Sequence, residues 1–363
     1  MKNIIYIIGI MFLIVGCSRE SKVLFDTMPN TYLTKSTFAS LPHWEEENYD
    51  KSLVSFVNNC RSKKAKKLYL SLCEKAKTVS DAKDFFQENF TPYLLSSQDD
   101  NSIGLLTGYY EPTLRGARVK SERYKYPLYK TPKDLMIVDL SSIYPELKNY
   151  RLRGRVEGNK VVPYDTREES VDNDVNATVI CYTDSKIDNF FLEIQGSGRV
   201  ILDDNSSLFI GYDNQNGHKY RAIGRYLVQI KALELKDVSL QSIRAWLEKN
   251  PSRVDEVLNY NQSMVYFAKR DQGATGALGL ELEAERSIAV DRNFIPLGSM
   301  LYLNSQTDTK KIDKIVFAQD TGGAIKGTVR ADLFLGDTEQ ALEVAGRLKS
   351  PLKLWLLLPK NKI

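Results

Sequence analysis

The chain has 363 residues, 42% of them apolar and 26% charged, and its formal net charge is +4. A single core rarely grows that large, so two domains, or one domain carrying a large insertion, are expected. The near balance of charge removes nucleic acid as an expected partner, and the ordinary apolar content removes a disordered chain.

Lys2 precedes a twelve-residue apolar run, Ile4 to Val15. It falls short of the roughly 20 residues a helix needs to span a bilayer, and it has the length and flanks of a secretory h-region. The run ends "IVGC", with Gly16 before Cys17. That pattern predicts a bacterial lipoprotein signal, cut before Cys17 with the thiol then lipidated, so residues 1–16 leave the fold. Ser18, in place of Asp, favours the outer membrane, where two or three acyl chains would hold the protein stably. An ordinary signal peptide with an incidental cysteine is the alternative. The mature chain keeps Cys60, Cys73 and Cys181. A Cys60–Cys73 bridge is open to it, and no metal-ligand spacing is visible.

Residues 20–48 are polar, contain Pro29 and Pro42, and read as a tether. From Tyr49 the pattern is helical, with Leu53, Phe56, Val57 and Cys60 on one stripe. A second helix is expected near Ser80 as N-cap, burying Phe85, Phe86 and Phe90. The stretch "SIGLLTGYYEPTLRG" predicts a strand that breaks at Pro112, and "YKYPLYKTP" continues extended. Further strands are expected at Thr178–Tyr182 and Phe190–Gln195. Helices are expected at Arg221–Ile230 and at Leu240–Leu247, the second behind Ser239 as cap. Short strands follow at Met264–Phe267, Ser287–Val290, Met300–Leu303 and Lys314–Phe317, then a helix over Glu339–Leu348 and a strand over Leu352–Leu358. The order is α+β in character, with closed or partly closed β structure; helix and strand alternate too irregularly for a doubly wound sheet.

Two histidines, His43 and His218, are all the chain has, so zinc chemistry and Ser-His triads are hard to build and catalysis falls to carboxylates. "AQDTGGAIKGTVRADLFLG" (318–336) carries two aspartates around a glycine-rich turn, whose "TGG" is expected to use backbone angles that glycine alone adopts freely. In its strand Asp332 and Phe334 share one face, and Leu333 and Leu335 the other. A carboxyl beside an aromatic surface is desolvated and kept protonated, as a general acid must be. Asp320 would push the same way by like charge. Asp291, at a strand end before Pro296 and Gly298, is a third candidate. The loop "DQGATGALGLELEAERS" could approach a ligand closely but lacks the order of a phosphate-binding loop. Two clusters suit a sugar polymer: "TGYYEP", with Thr107, Gly108 and tyrosines able to stack on pyranoses, and "EIQGSGRV", with Gln195, Ser197, Gly198 and Arg199 on a tight turn. Core tyrosines and plain hairpin turns are the bland alternatives. Lys326 and Arg330 serve substrate carboxyl groups or are simply solvated, the second reading being favoured for Arg330.

Taken in order, "TGYYEP", "VPYDTR" ending at Arg167, "QGSGR" (195–199), "NGHKYRAIGRYL" (216–227), "RSIAVDRNFIPLGS" (286–299) and the Asp320–Asp332 segment resemble the membrane-bound lytic murein transglycosylase A family. The resemblance implies a mainly β fold with α+β character: a double-psi β-barrel domain interrupted by a second β-rich domain, behind a helical N-terminal segment. On that pattern 17–112 would hold the tether, the helical segment and the first part of the barrel. The inserted domain would run over 113–268, and 269–363 would complete the barrel as a three-Asp domain. It implies cleavage of the β-1,4 bond between N-acetylmuramic acid and N-acetylglucosamine, leaving a 1,6-anhydromuramic end. The catalytic aspartate maps to Asp332, with Asp320 and Asp291 as its companions; Asp337, five positions on, is the other register. Substrate contacts fall to Thr107, Gly108, Tyr109, Gln195, Ser197, Gly198, Arg199 and Lys326. No metal or organic cofactor is implied. The implied partners are peptidoglycan strands, the outer membrane through Cys17, and wall-remodelling proteins, for a protein expected to be a monomer.

Two rivals stand beside this. "FAQDTGGA" has the lead-in of an aspartic peptidase, but such sites need two D-[ST]-G elements and this chain has one. A non-catalytic peptidoglycan-binding lipoprotein would hold glycan in the groove that the resemblance implies between the two domains, its acid silent.

Overall fold

A computed structural model of the chain describes residues 23–24, 31–172, 176–307 and 310–360. The signal segment and Cys17 lie outside them. The strands in chain order are β1 (Val23–Leu24), β2 (Tyr32–Lys35), β3 (Phe90–Ser96), β4 (Gly104–Tyr109), β5 (Thr113–Ala117), β6 (Tyr126–Tyr129), β7 (Met136–Ile137), β8 (Arg153–Glu157) and β9 (Lys160–Pro163). They continue with β10 (Val179–Thr183), β11 (Ser197–Leu202), β12 (Ser207–Gln215), β13 (Val265–Arg270), β14 (Ser287–Val290), β15 (Met300–Gln306), β16 (Lys311–Asp320), β17 (Arg330–Phe334) and β18 (Lys349–Pro359). The helices are α1 (Tyr49–Asn59), α2 (Lys63–Tyr69), α3 (Leu72–Lys75), α4 (Ala82–Asn89), α5 (Arg167–Asp172), α6 (Lys186–Gln195), α7 (Ile223–Gln229), α8 (Leu240–Lys249), α9 (Val254–Asn259) and α10 (Glu339–Arg347).

The main sheet runs β1-β2-β3-β18-β15-β16-β14-β17-β4, and β4 pairs back onto β18. Six of these strands, β18, β15, β16, β14, β17 and β4, therefore close a ring. Its interior is packed with Leu106, Ile288, Val290, Leu301, Leu303, Val316, Ala331, Leu333 and Leu354. Alternate residues of the same strands, among them Met300, Tyr302, Phe317, Trp355 and Leu357, point outward into a second core with Trp44, Phe56, Phe85, Phe86 and Phe90. Burial on both faces explains why "MLYL", "IVFA" and "LWLLL" are continuous apolar runs. Glu47 holds the helical segment onto the ring: it is buried, pairs with Arg286 at 2.8 Å and accepts the Ile315 N–H at 2.6 Å.

A second sheet, β13-β12-β11-β5-β10-β6, and a three-stranded sheet, β7-β8-β9, lie in the segment between β4 and β14. The chain crosses from one large sheet to the other over Tyr110, Glu111 and Pro112. Each sheet receives it by a parallel pairing, β4 beside β17 in the ring and β5 beside β11 in the second sheet.

Several sequence expectations are corrected. Phe190–Gln195 is not a strand but the end of α6. Ser185 caps the helix by accepting the Asp188 N–H, and Gly196 ends it in the left-handed region at φ 83°. The aromatic pair suggested a strand, whereas "KIDNFFLEIQ" buries a full helical turn at Asn189–Leu192. The cap of α4 is Asp81, not Ser80, and Phe90 begins β3 rather than continuing the helix. The tether reading fails from residue 31 onward: β2 joins the sheet, and Leu33 and Trp44 are buried because the apolar residues there complete existing cores. Cys60 and Cys73 form a disulfide, while Cys181 is free and buried.

Candidate active site

The antiparallel register of β14 and β17 sets Asp332 opposite Ala289, and the parallel register of β14 and β16 sets Asp320 opposite the same residue. The two carboxylates thus flank one small side chain on the outer face of the ring. On the other edge of β17, the parallel pairing places Thr107 opposite Asp332. The Thr107 hydroxyl donates to Asp332 Oδ1 at 2.5 Å and accepts from Arg330 Nη2 at 2.8 Å. The guanidinium is fixed in turn by the carbonyls of Leu105 at 3.2 Å and Ala331 at 2.5 Å. Arg330 is therefore not solvated. It is half-buried, and a strand places residues two apart on one side, so Arg330 and Asp332 project together. That R-x-D spacing was the signal that could have found it.

Tyr109 and Tyr110 are 7% and 5% exposed, so the stacking role expected of them gives way to core packing. Tyr109 lies against Phe334 with ring centroids 5.2 Å apart, and its hydroxyl donates to Asp320 Oδ2 at 3.1 Å. Asp320 Oδ1 accepts the Ala277 N–H at 2.9 Å, which folds the glycine-rich loop over this carboxylate. Gly276 permits the approach, since a Cβ there would lie 2.5 Å from the Gln319 carbonyl oxygen. Gly322 needs space rather than a special backbone angle: a Cβ would meet Ile325, and the left-handed residues of this segment are Gly327, at φ 108°, and Gly336, at φ 96°.

Burial pushes the Asp332 carboxyl up to about 6. The Thr107 hydroxyl and the Arg330 charge hold it down, and the Asp320 charge adds to the rise. Burial also raises Asp320, against its hydrogen bonds from Ala277, Thr321 and Tyr109. Tyr109, buried beside both carboxylates, is held well above its ordinary value and remains a donor.

Asp291 is buried and fully occupied with backbone, accepting the Asn293 N–H at 3.1 Å through Oδ1 and the Gly327 N–H at 3.1 Å through Oδ2. It joins the two loops beside the carboxylate pair. Lys326 is exposed next to it, on the wall of a cleft. Gly108 faces α10, where a Cβ would stand 3.1 Å from Ala345 Cα.

From the second sheet, Gln195 Oε1 accepts the Tyr110 N–H at 3.0 Å and ties the end of α6 to the crossover. Gln195 thus belongs to a helix end rather than a hairpin. Ser197 is buried, and Gly198 lets β11 pass Pro112, whose carbonyl oxygen would lie 2.9 Å from a Cβ. Arg199 Nη2 donates to Thr113 Oγ1 at 3.3 Å and stands 3.8 Å from Asp337, which is half-exposed. Glu111 was missed as a candidate. It is 8% exposed, and burial, with Asp337 next in size, pushes its carboxyl up to about 7.

The description "MltA specific insert domain" matches residues 105–268, and "3D domain" matches 286–358. The fold superposes on the crystal structure of MltA from Neisseria gonorrhoeae with a TM-score of 0.81 and 33% identity, covering 95% of this chain and 96% of that one. A membrane-bound lytic murein transglycosylase from Agrobacterium tumefaciens superposes with a TM-score of 0.81 at 27% identity, over 91% of this chain and 98% of that one. The curated membrane-bound lytic murein transglycosylase A of Escherichia coli is 27% identical over 300 residues, 80% of this chain and 75% of that protein.

Proposed function

The chain belongs to the membrane-bound lytic murein transglycosylase A family and is a lyase of the cell envelope acting on peptidoglycan; from that premise we propose that Asp332 alone carries the chemistry, as acid and then as base. The observation behind this is the Arg330–Thr107–Asp332 chain. Because Thr107 donates to Oδ1, the acid's proton resides on Oδ2, the oxygen left free for substrate.

The bond cleaved is the β-1,4 link from N-acetylmuramic acid to N-acetylglucosamine. Protonated Asp332 gives its proton to the glycosidic oxygen as the C1–O bond breaks and positive charge grows at C1. The carboxylate so formed takes the proton of the muramic C6 hydroxyl, whose oxygen closes on C1. A 1,6-anhydro ring forms, no water is consumed, and Asp332 ends protonated. A hydrolase needs a second carboxylate for water or for a covalent intermediate, and an internal nucleophile removes that need. Asp320 serves by charge and by anchoring Tyr109. Asp291 shapes the loops, Thr107 and Tyr109 act through the carboxylates they bond, Gly108, Ser197 and Gly198 set the backbone behind the groove between the two sheets, and Gln195, Arg199 and Lys326 remain to meet the glycan.

We read the closed six-stranded ring as a double-psi barrel, a reading supported by its two internal parallel pairings. The segment 113–268 is then the inserted domain. We place the protein on the periplasmic face of the outer membrane, held through Cys17, on the strength of the "IVGC" segment.

Digestion of purified sacculi, with products analysed by mass spectrometry, tests the mechanism. The wild type should release muropeptides one water lighter than hydrolytic ones. Asp332→Asn should lose activity by roughly a thousandfold or more, within the range for removal of a general acid. Reducing ends would overturn the internal-nucleophile mechanism, and intact sacculi with the wild type would leave a binding protein.

A further inference from the structure

A cleft opens beside the carboxylate pair, at the ends of β14 and β16. Its charged lining is lopsided. Arg151, from the segment between β4 and β14, faces Arg292 and Lys326 from the ring's loops, and the acidic member of the lining is Asp291. Both Asp291 oxygens already accept backbone N–H groups. Arg151, Arg292 and Lys326 are exposed, and among the described residues none has a carboxylate within ion-pair range. Three cations therefore converge where the fold supplies a single anion committed elsewhere. Asn293 and Thr321 add polar groups to the same wall.

The place of this cleft matters as much as its charge. Ala289, the residue flanked by Asp332 and Asp320, lies two positions before Asp291, which follows the end of β14. At roughly 3.3 Å per residue Asp291 stands about 7 Å along the chain from Ala289, the residue that the acid faces across the sheet. A substituent on a sugar held for cleavage reaches that far. The amino sugars of the glycan backbone are uncharged, and the carboxylates of peptidoglycan are carried on the peptides attached to muramic acid. Guanidinium groups pair with carboxylates in a bidentate manner, and two of the three cations here are arginines.

We propose that this cleft binds stem-peptide carboxylates and makes the enzyme favour strands whose peptides carry free carboxylates over strands whose peptides are uncharged. The inference rests on the reading of Asp332 as the cleavage centre. It goes beyond that reading by assigning the recognition of a second part of the substrate to Arg151, Arg292 and Lys326.

The experiment compares the full-length enzyme with Arg151→Gln/Arg292→Gln, and with Lys326→Gln added to that pair. The substrates are intact peptidoglycan strands and the same strands with their peptide carboxylates converted to amides. On intact strands the double variant should raise KM by about tenfold, the loss of roughly one good ionic contact, with kcat nearly unchanged and a further rise when Lys326 is replaced. The double variant should treat amidated strands as the parent does, whether the parent cleaves them well or poorly. Added salt should shrink the parent's preference for intact strands, since exposed charges are screened. Equal losses on both substrates, or no loss on intact strands, would overturn the proposal. Absence of anhydro ends with the parent enzyme would instead sink the cleavage mechanism, so the two failures are distinguishable.

Discussion

In the ring, β4 lies parallel to β17 with Thr107 opposite Asp332; in the second sheet, β5 lies parallel to β11 with Thr113 opposite Arg199. The two seams sit at either end of the same short crossover, Tyr110 to Pro112. Each sets a threonine hydroxyl across from an ionisable side chain, but the roles are reversed. Thr107 donates to a carboxylate at 2.5 Å, whereas Thr113 accepts from a guanidinium at 3.3 Å. The first pair is desolvated and shifts its acid into the neutral range, while the second lies at an exposed position where water screens it. Strand pairing alone is thus not what makes a site; burial of the pair decides what the same geometry can do.

The sharpest way to break this contrast is Thr107→Val. Losing a hydrogen bond to a charged group should lower kcat by roughly 10- to 100-fold. The hydroxyl holds the Asp332 pKa down, so without it the pKa rises further above its ordinary value. A general acid loses activity as pH climbs through its pKa, and the alkaline limb of the pH–rate profile should therefore move upward. Thr113→Val should move neither rate nor limb by more than about twofold, and an equal response at both seams would erase the distinction drawn here.

Asp320→Asn offers a smaller effect of opposite sign. The Asp320 charge raises the Asp332 pKa, so removing it should shift the alkaline limb downward and reduce the rate at neutral pH by roughly two- to fivefold. Rate profiles over pH 4 to about 9 would show it, and an upward shift would contradict the assigned coupling.

The smallest change is expected at the crossover itself. The folded-state pKa of Glu111 is about 7, against 4.5 for the free side chain, so the folded protein holds a proton that the unfolded chain has already shed. Stability accordingly falls as pH rises through that window. Glu111→Gln should remove this loss and stabilise the protein by about 1–2 kcal/mol at pH 8 relative to pH 5, measured by denaturant unfolding.

Much of this was readable before the fold was seen. Asp332 and Phe334 on one face, Leu333 on the other, and the segment's short strands follow from period-two alternation, and Ser287–Val290 was placed residue for residue. Where both faces of a strand are buried, as in β15 and β16, the pattern locates the strand but cannot say that one face meets helices. The α6 error has a local cause, since two adjacent phenylalanines favour a strand in isolation while a serine cap and a terminal glycine favour the helix that formed. Arg330 and Glu111 escaped for a different reason. The R-x-D spacing sets Arg330 beside Asp332, but its bond to Thr107, like the pressure of Asp337 on Glu111, comes from a partner far along the chain that no local pattern reveals.

The bond between Thr107 and Asp332 joins positions 225 residues apart. Contacts that distant form only after the intervening chain has been gathered in, and a topology dominated by them assembles slowly. The acid is therefore complete only when β4 has found β17 and the ring has shut against β18. A nascent or partly folded copy carries the full set of side chains yet has no tuned carboxyl, so competence to cut the wall arrives as one of the last events of maturation.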